Sequence, residues 1–294
     1  MQEIVCGANQ AAKTVESFLR NQFPIGYVRK VFRKNAVRVN GRRARPDDVI
    51  RTGDRIQLYI LFAPDNQGVV PKARSAPFEI LFADDALLVV DKPAGLAVHE
   101  GKTVSKKNSL LGILEVKYRG RGMRPQLVHR LDRDTSGVLI IAKNPEIAAD
   151  IKSRFESGDV DKEYLCLVVG RMPNNEGKID LPLPGRDGSP VRALTLYRVA
   201  KRFSDTTLMR VRIETGRLHQ IRLHFAMIDH PVVMDDQHGD FGFNKRFRKK
   251  YGLKRQFLHA EKLKIKIADQ RREWTAPLAQ DLRDIVKLLS AEQR

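Results

Sequence analysis

Near the middle of the chain, a run of charged residues leads without interruption into a run of apolar residues. Residues 129–137 read HRLDRDTSG, and residues 138–142 read VLIIA. A short apolar run is typical of a buried strand, which places the charged run at the entrance of that strand. A carboxylate held there beside guanidinium groups stays ionised, because a nearby opposite charge favours its charged form. Asp132 is thus a candidate nucleophile; the alternative is that Asp132 and Asp134 are turn residues with solvated charges.

The chain is strongly basic and has enough apolar residues to fold. Its 294 residues include 54 Lys and Arg against 35 Asp and Glu, a formal net charge of +19, and 42% are hydrophobic. This length suits one large domain and one small one, and the apolar content argues against disorder. The positive charge indicates a polyanionic partner such as nucleic acid. The alternatives are an anionic lipid surface, or a basic protein without such a partner.

The sequence predicts a cytoplasmic protein with no membrane partner. No apolar run approaches the roughly 20 residues that span a bilayer. The first residues, MQEIVC, lack the basic start of a signal peptide. The two cysteines, Cys6 and Cys166, lie far apart and form no Cys-x-x-Cys pair, which indicates a reducing compartment.

The first part of the chain differs in pattern from the rest. Residues 11–23 predict a short amphipathic helix, because Val15, Phe18 and Leu19 recur at helical spacing. Residues 27–34 repeat the helical pattern with basic residues between apolar ones. Residues 37–43 read VRVNGRR, and alternation that leads into an Asn-Gly pair is a strong hairpin signal.

Between residues 28 and 45 there are eight Lys and Arg and no acidic residue. Two helices followed by a small basic hairpin resemble the S4-type RNA-binding domain, so residues 1–62 are predicted to form an S4-like RNA-binding domain. The missing acids favour contact with an RNA backbone over a solvated surface. The predicted RNA-binding residues of this part are Arg29, Lys30, Arg33, Lys34, Arg38, Arg42 and Arg43.

Residues 63–77 contain three prolines and predict a linker. Residues 78–294 are predicted to form a second domain of the α+β class, since strands and helices mix along it. The predicted strands cover 78–81, 87–90, 164–169, 194–199 and 207–214, and the predicted helices cover 145–157 and 281–289. The first of these helices has Asn144 in position to cap it and Pro145 at its first position.

Five blocks of this second part match one family in the expected order. They read LLVVDKPAGLAVH at 87–99, HRLDRDTSG at 129–137, KEYLCLVVG at 162–170, TGRLHQIR at 215–222 and LHA at 258–260. In these blocks the chain resembles the RluA-type pseudouridine synthases, and the RluC and RluD subgroups in particular. The resemblance implies a pseudouridine synthase fold, which is a large mixed, mostly antiparallel sheet flanked by helices. It also explains an S4-like domain in front.

The resemblance implies an isomerisation of uridine in RNA. The bond from ribose C1′ to uracil N1 breaks, the base turns, and a new bond forms from C1′ to C5. No redox change, hydrolysis or phosphate transfer occurs, so the resemblance implies neither a cofactor nor a metal. His219 and His224 lie five apart on what is predicted to be a strand, hence on opposite faces, and could not share one ion.

The family positions also imply roles for individual residues. Asp132 matches the catalytic aspartate, which either attacks C1′ as in a retaining glycosidase or stabilises the sugar cation and removes the 2′ hydrogen. Arg222 matches the arginine that pairs with this aspartate, since a buried carboxylate is costly without a cation. Tyr164 matches a tyrosine that stacks on uracil and transfers a proton at C5. The alternatives are an exposed arginine and a core tyrosine.

Other residues of the blocks are predicted to bind RNA or to hold the site together. Arg130 matches an arginine that fills the gap left by the extruded nucleotide, and Arg217 and His219 are also predicted to contact RNA. His129 and Asp134 are expected to hold the loop by hydrogen bonds. Thr135 and Ser136 are expected to satisfy backbone groups of the same turn.

Two positions depart from the family pattern. Leu218 stands where threonine or serine is usual, and Met234 stands where glycine is common. Neither change affects the aspartate, the tyrosine or the paired arginine, so we expect altered substrate contacts and retained activity.

The resemblance and the charge together predict a monomeric enzyme that isomerises uridines of large-subunit (23S) ribosomal RNA. Two alternatives stay open. In one, the substrate is tRNA and the chemistry is the same. In the other, the chain is a non-catalytic RNA-binding ribosome-assembly factor, which gives no reason for Asp132, Tyr164 and Arg222 all to be present.

Overall fold

The structure is a computed structural model that describes residues 2–7, 11–23, 28, 31–60, 77–101, 104–120, 122–185, 187–267 and 270–293. The chain divides into two compact units, residues 1–73 and 74–294. Most of the predicted linker at 63–77 lies outside the described residues, so the domain boundaries stay a prediction.

The first unit is built on a small antiparallel sheet. Its elements are β1 (Gln2–Val5), α1 (Val15–Arg20), β2 (Val37–Val39), β3 (Arg42–Arg43) and β4 (Arg55–Leu58), with strand order β1-β4-β2-β3. The predicted hairpin forms, and its turn residues Asn40 and Gly41 have φ values of 50° and 80°. Residues 28 and 31–33 are helical, whereas Arg29 and Lys30 lie outside the described residues.

The second unit contains a large sheet with the strand order β10-β13-β14-β9-β15-β8-β6-β5, to which β16 and β7 add at β15 and β8. Only the β8–β15 pair is parallel among the pairings of the described strands. The prediction of a mixed, mostly antiparallel sheet is therefore confirmed. The strands are β5 (Glu79–Ala83), β6 (Leu87–Lys92), β7 (Gln126–Leu127), β8 (Ser136–Ala142), β9 (Val160–Val169), β10 (Glu176–Asp180), β13 (Leu194–Arg202), β14 (Thr206–Ile213), β15 (Leu258–Ile267) and β16 (Gln270–Thr275). A separate pair is formed by β11 (Leu183–Pro184) and β12 (Pro190–Val191).

Helices flank this sheet. They are α2 (Leu110–Lys117), α3 (Pro145–Ser157), α4 (Gln220–Met227), α5 (Phe241–Tyr251) and α6 (Gln280–Ala291), with a short 3-10 turn at Lys106–Asn108. The start of α3 is as predicted, because the Asn144 side chain accepts a hydrogen bond from the backbone N–H of Ile147 at 2.9 Å. Among the described residues, no helix is both long and apolar enough to cross a bilayer.

The prediction of a strand around His219 and His224 is wrong, because this segment turns and enters α4. The apolar residues Ile221 and Phe225 are four apart and both buried in the core, which is helical spacing. The Gln220 side chain supports the entry by accepting hydrogen bonds from the Arg217 N–H and the Thr215 hydroxyl. The two histidine rings bind different partners, since His224 contacts Thr195 and His219 contacts His238.

Strand β8 lies between β15 and β6 in the sheet and is buried along its whole length. Leu139 and Ile141 pack into one apolar cluster, and Val138 and Ile140 pack into another. At the parallel pairing with β15, a Cβ atom at Gly137 would lie 2.1 Å from the carbonyl oxygen of Ala260, and φ of Gly137 is +116°. Only glycine fits this close approach.

Candidate active site

A cavity of about 520 Å³ opens on the second unit, a size within the usual range for ligand sites. Its walls come from the loop before β8, from β9, and from the segment that enters α4. The predicted site residues of this unit all line it, namely Arg130, Asp132, Tyr164, Arg217, His219 and Arg222. Residues that lie far apart in sequence thus meet at one site, as expected.

The Asp132 carboxylate is paired with Arg222, whose Nη1 donates a hydrogen bond to Oδ2 at 3.0 Å. Arg222 also donates from Nε and Nη2 to the two oxygens of Asp235, each at 2.7 Å. The side chains of Arg222 and Asp235 are 4% and 0% exposed, and that of Asp132 is 18% exposed. One guanidinium thus bridges a fully buried carboxylate and one that reaches the cavity.

Asp235 and Arg222 keep each other ionised. Burial acts to raise the pKa of Asp235, but hydrogen bonds from Arg222 and from the backbone N–H groups of Gln237 and His238 hold that pKa below its usual value. Burial acts to lower the pKa of Arg222, and the hydrogen bonds and charges of Asp235 and Asp132 reverse this effect and raise it. The charged forms of Asp235 and Arg222 are therefore favoured.

The loop that carries Asp132 is fastened by Lys92 at the end of β6. Lys92 is fully buried, and its Nζ donates to the carbonyl oxygens of Pro93, Leu96 and Arg133 at 2.8, 2.9 and 3.0 Å. Burial lowers the pKa of Lys92 to about 7, against the opposing charge of Asp134. Three carbonyl acceptors match the three N–H donors of an ammonium group, so this contact fixes the backbone next to Asp132.

Two further side chains of the loop bind partners that were not predicted. Thr135 accepts a hydrogen bond from Gln256 Nε2 at 2.7 Å, and the Ser136 hydroxyl is 2.9 Å from His259 Nδ1. The prediction that their hydroxyls satisfy backbone groups of the turn is therefore wrong. The partners are remote in sequence, since Gln256 lies just before β15 and His259 lies within it, so the local pattern of the turn could not predict them.

The remaining loop residues serve the scaffold. His129 accepts a hydrogen bond from the backbone N–H of Ile140 at 2.9 Å, and its ring stacks on Phe155 with centroids 4.7 Å apart. The backbone carbonyl of Asp134 accepts a hydrogen bond from Arg255. These contacts agree with the expectation that both residues hold the loop, although for Asp134 the bond is made by the backbone.

Tyr164 faces the cavity from β9 and is only 8% exposed. Burial raises the pKa of its hydroxyl, and the negative charge of Asp132 raises it further. The phenol is thus neutral at physiological pH, with a largely covered ring that can contact a planar ligand.

His219 stands between the cavity and a second histidine. It has a positive φ of 53°, its Nε2 is 3.8 Å from Asp132 Oδ1, and its Nδ1 is 3.1 Å from His238 Nε2. Burial lowers the pKa of His219, while the charge of Asp132 acts in the opposite direction. A neutral imidazole that shares a hydrogen bond with His238 and lies close to Asp132 is favoured.

Arg130 and Arg217 are exposed at the cavity. Arg217 donates from Nε to the carbonyl oxygen of Arg192 at 3.1 Å, which anchors its stem and leaves other donors to solvent. Leu218, one of the two departures, is 55% exposed beside them. Met234, the other, is buried with φ of +64°, the left-handed conformation in which glycine is usual.

Sequence reasoning missed Asp235, Lys92 and His238. Asp235 was detectable, because a buried guanidinium has more donors than one carboxylate can accept and Asp235 directly follows Met234, one of the two positions that depart from the family pattern. Lys92 was detectable as a charged residue at the end of the apolar run LLVV. Nothing in the sequence pointed to His238. Within the described ranges, no three His, Cys, Asp or Glu side chains are grouped as a metal site requires.

Comparisons with known proteins identify the family of this chain. The profile described as RNA pseudouridylate synthase matches residues 86–227. Relatives named Ribosomal large subunit pseudouridine synthase C include one from Salmonella typhi, 33% identical over 89% of this chain and 88% of the relative. Another is from Escherichia coli strain K12, 33% identical over 88% of this chain and 86% of the relative. The chain belongs to the RNA pseudouridylate synthase family.

Solved structures share the fold of this family. Human RNA Pseudouridylate Synthase Domain Containing 4 superposes with a TM-score of 0.62 at 24% identity, covering 72% of this chain and 92% of its own. Human RNA Pseudouridylate Synthase Domain Containing 1 gives 0.56 at 25% identity, covering 74% and 96%. The predictions of a pseudouridine synthase, of its fold and of an RNA substrate are confirmed. The S4-like nature of the first unit stays a prediction.

Proposed function

We propose that this pseudouridine synthase isomerises uridines of large-subunit ribosomal RNA, with Asp132 as its catalytic carboxylate. The observation that carries the proposal is the bridge from Asp132 through Arg222 to Asp235 at the wall of a cavity. The relatives named Ribosomal large subunit pseudouridine synthase C support this substrate, as does the net charge of +19.

Asp132 acts at the ribose carbon. Its carboxylate oxygens either form a bond to C1′ as the C1′–N1 bond breaks, or stabilise the sugar cation and remove the 2′ hydrogen. In both routes the uracil turns and C1′ bonds to C5. In the first route this bond displaces the carboxylate from C1′, and in the second the 2′ hydrogen is returned to the sugar. The proton of C5 is then lost, and N1 gains one. Arg222 holds the carboxylate in place by a hydrogen bond, and Asp235 in turn orients Arg222.

Tyr164 contacts the uracil with its ring. Since its pKa is raised, the hydroxyl enters the reaction as a neutral phenol. A neutral phenol accepts the C5 proton only if it passes its own proton on in the same step, so we assign Tyr164 a relay role together with stacking. Phenolate formation would place a second negative charge close to Asp132, which the low exposure of both groups disfavours.

The target nucleotide has to leave its stack, because C1′ is hidden in folded RNA. Arg130 is exposed at the cavity and lacks a hydrogen-bonded partner within the described residues, so it can enter the gap and offset part of an unstacking cost of a few kcal/mol. Arg217 and His219 border the same opening and are assigned to the phosphates or sugars beside the flipped base.

The first unit is proposed to bind RNA as an S4-like domain. Its described basic residues Arg33, Lys34, Arg38, Arg42 and Arg43 are exposed. Arg38 lies over the ring of Tyr59 at 4.9 Å, and Arg43 bonds to Asn35, so two of these cations are held in place on the surface. Arg29 and Lys30, outside the described residues, belong to the same proposal.

We further propose that the enzyme acts as a cytoplasmic monomer without a cofactor or metal, because the reaction changes neither redox state nor phosphate. The tRNA alternative keeps the same site and is distinguished by offering both RNAs to the protein. The non-catalytic alternative does not account for the Asp132–Arg222–Asp235 bridge.

The test is carbodiimide mapping of pseudouridine in large-subunit ribosomal RNA after incubation with purified protein. Wild type is expected to form pseudouridine, and Asp132→Asn is expected to bind the RNA with near-normal affinity and form none. Asp85→Asn, the same change at an exposed residue in the β5–β6 turn, is the matched control. Normal turnover by Asp132→Asn would overturn the assignment, and modification of tRNA alone would overturn the substrate.

A further inference from the structure

Helix α5 carries the most one-sided charge of the second unit outside the cavity. Residues 241–260 contain seven Lys and Arg and no Asp or Glu. Two of the seven have carboxylate partners, since Lys250 binds Glu292 at 2.8 Å and Arg255 binds Asp281 at 2.7 Å. The other five cations have no acidic residue within this segment that could neutralise their charge.

Four cations of the helix form one exposed face, which we call the α5 surface: Lys245, Arg246, Arg248 and Lys249. All four are exposed, and none has a carboxylate partner in the part of the chain that the structure describes. At 3.6 residues per turn they cover an arc of about 160°. The apolar residues Phe243 and Phe247 cover the opposite side and are buried in a core cluster.

The buried side of α5 is tied to the active site. Asn244 accepts a hydrogen bond from the Met234 N–H at 2.7 Å and donates to the Asp235 carbonyl oxygen at 2.8 Å. The carboxylate of the same Asp235 binds Arg222. The α5 surface is therefore fixed relative to the cavity by three consecutive contacts, and RNA held on it would have a defined position relative to Asp132.

An exposed aromatic residue lies at the start of the helix. Phe241 is 63% exposed and follows Asp240, whose side chain caps α5 by accepting a hydrogen bond from the Phe243 N–H at 2.8 Å. Unpaired bases of RNA stack on such rings, whereas cations bind the phosphates between them. An exposed ring on a helix with four cations that lack carboxylate partners suits a single-stranded or looped RNA segment better than a lipid headgroup.

We propose that the α5 surface binds the phosphate backbone of the substrate RNA outside the cavity, with Phe241 stacking on an unpaired base. The proposal rests on the proposed function for the identity of the RNA only. Its physical basis is the charge complementarity between RNA and a surface whose position is fixed relative to the Asp132–Arg222–Asp235 bridge. It gives the second unit an RNA contact outside the cavity, in addition to the contact proposed for the S4-like unit.

The test compares two double variants of the full chain that remove the same charge. Lys245→Gln with Lys249→Gln removes two cations of the α5 surface, and Lys152→Gln with Lys178→Gln removes two exposed cations on α3 and β10. The affinity for a ribosomal RNA fragment is measured at salt concentrations from about 0.05 to 0.3 M, where phosphate contacts dominate the salt dependence of binding. Turnover at saturating RNA is measured in parallel.

Each lost phosphate contact reduces the slope of log affinity against log salt by about 0.7 to 0.9. The slope of the α5 variant is thus expected to be smaller by about 1.4 to 1.8, which corresponds to roughly 15- to 30-fold weaker binding at about 0.15 M salt. Its maximal rate of turnover is expected to be unchanged. Lys245→Arg with Lys249→Arg is expected to restore binding. Phe241→Ala is expected to weaken binding with no change of slope.

Equal losses in the α3/β10 control, or an unchanged slope in the α5 variant, would overturn the proposal. The proposal would also be overturned if the α5 variant bound RNA normally and lost only its binding to anionic vesicles. The result is independent of catalysis: a changed slope in a protein that forms no pseudouridine would preserve the α5 surface and refute the proposed function.

Discussion

Asp235 holds the guanidinium of Arg222 by two hydrogen bonds of 2.7 Å and leaves its third nitrogen to reach Asp132 at 3.0 Å. Because Asp235 is fully buried and Asp132 borders the cavity, the two carboxylates have different tasks. The inner one sets the plane of the guanidinium. The outer one, Asp132, accepts a single charge-assisted hydrogen bond whose direction is fixed by that plane.

Replacing the inner carboxylate is expected to damage both stability and rate. Asp235→Asn removes one partner of a buried pair and should lower the free energy of unfolding by about 3–5 kcal/mol, as measured by urea denaturation. Its kcat should fall by about 100-fold, since a misplaced Arg222 no longer aims Asp132. Asp236→Asn, a neighbour whose side chain is 73% exposed and 3.7 Å from Arg222, is the comparison. Equal effects at the two positions would contradict the assigned role.

Removing the Lys92 ammonium is expected to loosen the catalytic loop. Lys92→Met keeps the length of the side chain but leaves the carbonyls of Pro93 and Leu96 without their buried donor, at a cost of about 1–3 kcal/mol for each. The carbonyl of Arg133 keeps the hydrogen bond from the Gly95 N–H. We expect a lower unfolding free energy and a reduced kcat with an almost unchanged RNA affinity. Hydrogen exchange of the loop amides reports the loosening directly. Unchanged exchange around Asp132 would show that Lys92 does not fasten the loop.

The ring and the hydroxyl of Tyr164 are expected to contribute separately. Tyr164→Phe keeps stacking and removes the relay, so RNA affinity should stay near wild type while turnover falls by about 100- to 10 000-fold, the usual contribution of acid–base groups. Tyr164→Ala should in addition weaken binding, by about 1–3 kcal/mol for one lost stack. Single-turnover kinetics and filter binding measure the two effects. A fully active Tyr164→Phe variant would exclude the relay.

Acid should destabilise the fold through His259. Burial lowers the pKa of His259 to about 4, whereas an unfolded histidine titrates near about 6.5. Between these pH values the unfolded chain binds more protons, so stability is lost as the pH falls through this window and is fully retained above it. Urea denaturation should show a loss of about 1.4 kcal/mol per pH unit from this group. The same series on His259→Gln should lack that component, and parallel curves would contradict the prediction.

Helix starts and tight turns were predictable because they depend on residues that are neighbours in the sequence. Asn144 and Pro145 predict the start of α3, and its bounds are as predicted. The Asn40-Gly41 pair predicts the turn between β2 and β3. The convergence of Asp132, Tyr164 and Arg222 was also predictable, although from family resemblance and not from their spacing.

Contacts between distant segments were not predictable. Whether residues 219–224 form a strand or a helix depends on the burial of Ile221 and Phe225 in a core assembled from other strands. The partners of Thr135 and Ser136 come from more than 100 residues later, at separations of 121 and 123. Asn244, which ties α5 to Asp235, has no marking in the sequence at all.

The close approach at Gly137 determines the geometry of the proposed catalytic centre. Strand β15 pairs with Gly137 on one side and with Tyr164 on the other, in both cases through Ala260. A methyl group at position 137 would push β8 away from β15, and the loop that carries Asp132 would move away from the Tyr164 phenol. The separation between Asp132 and Tyr164, where a uridine must fit, therefore depends on the missing side chain of a residue that takes no part in the chemistry.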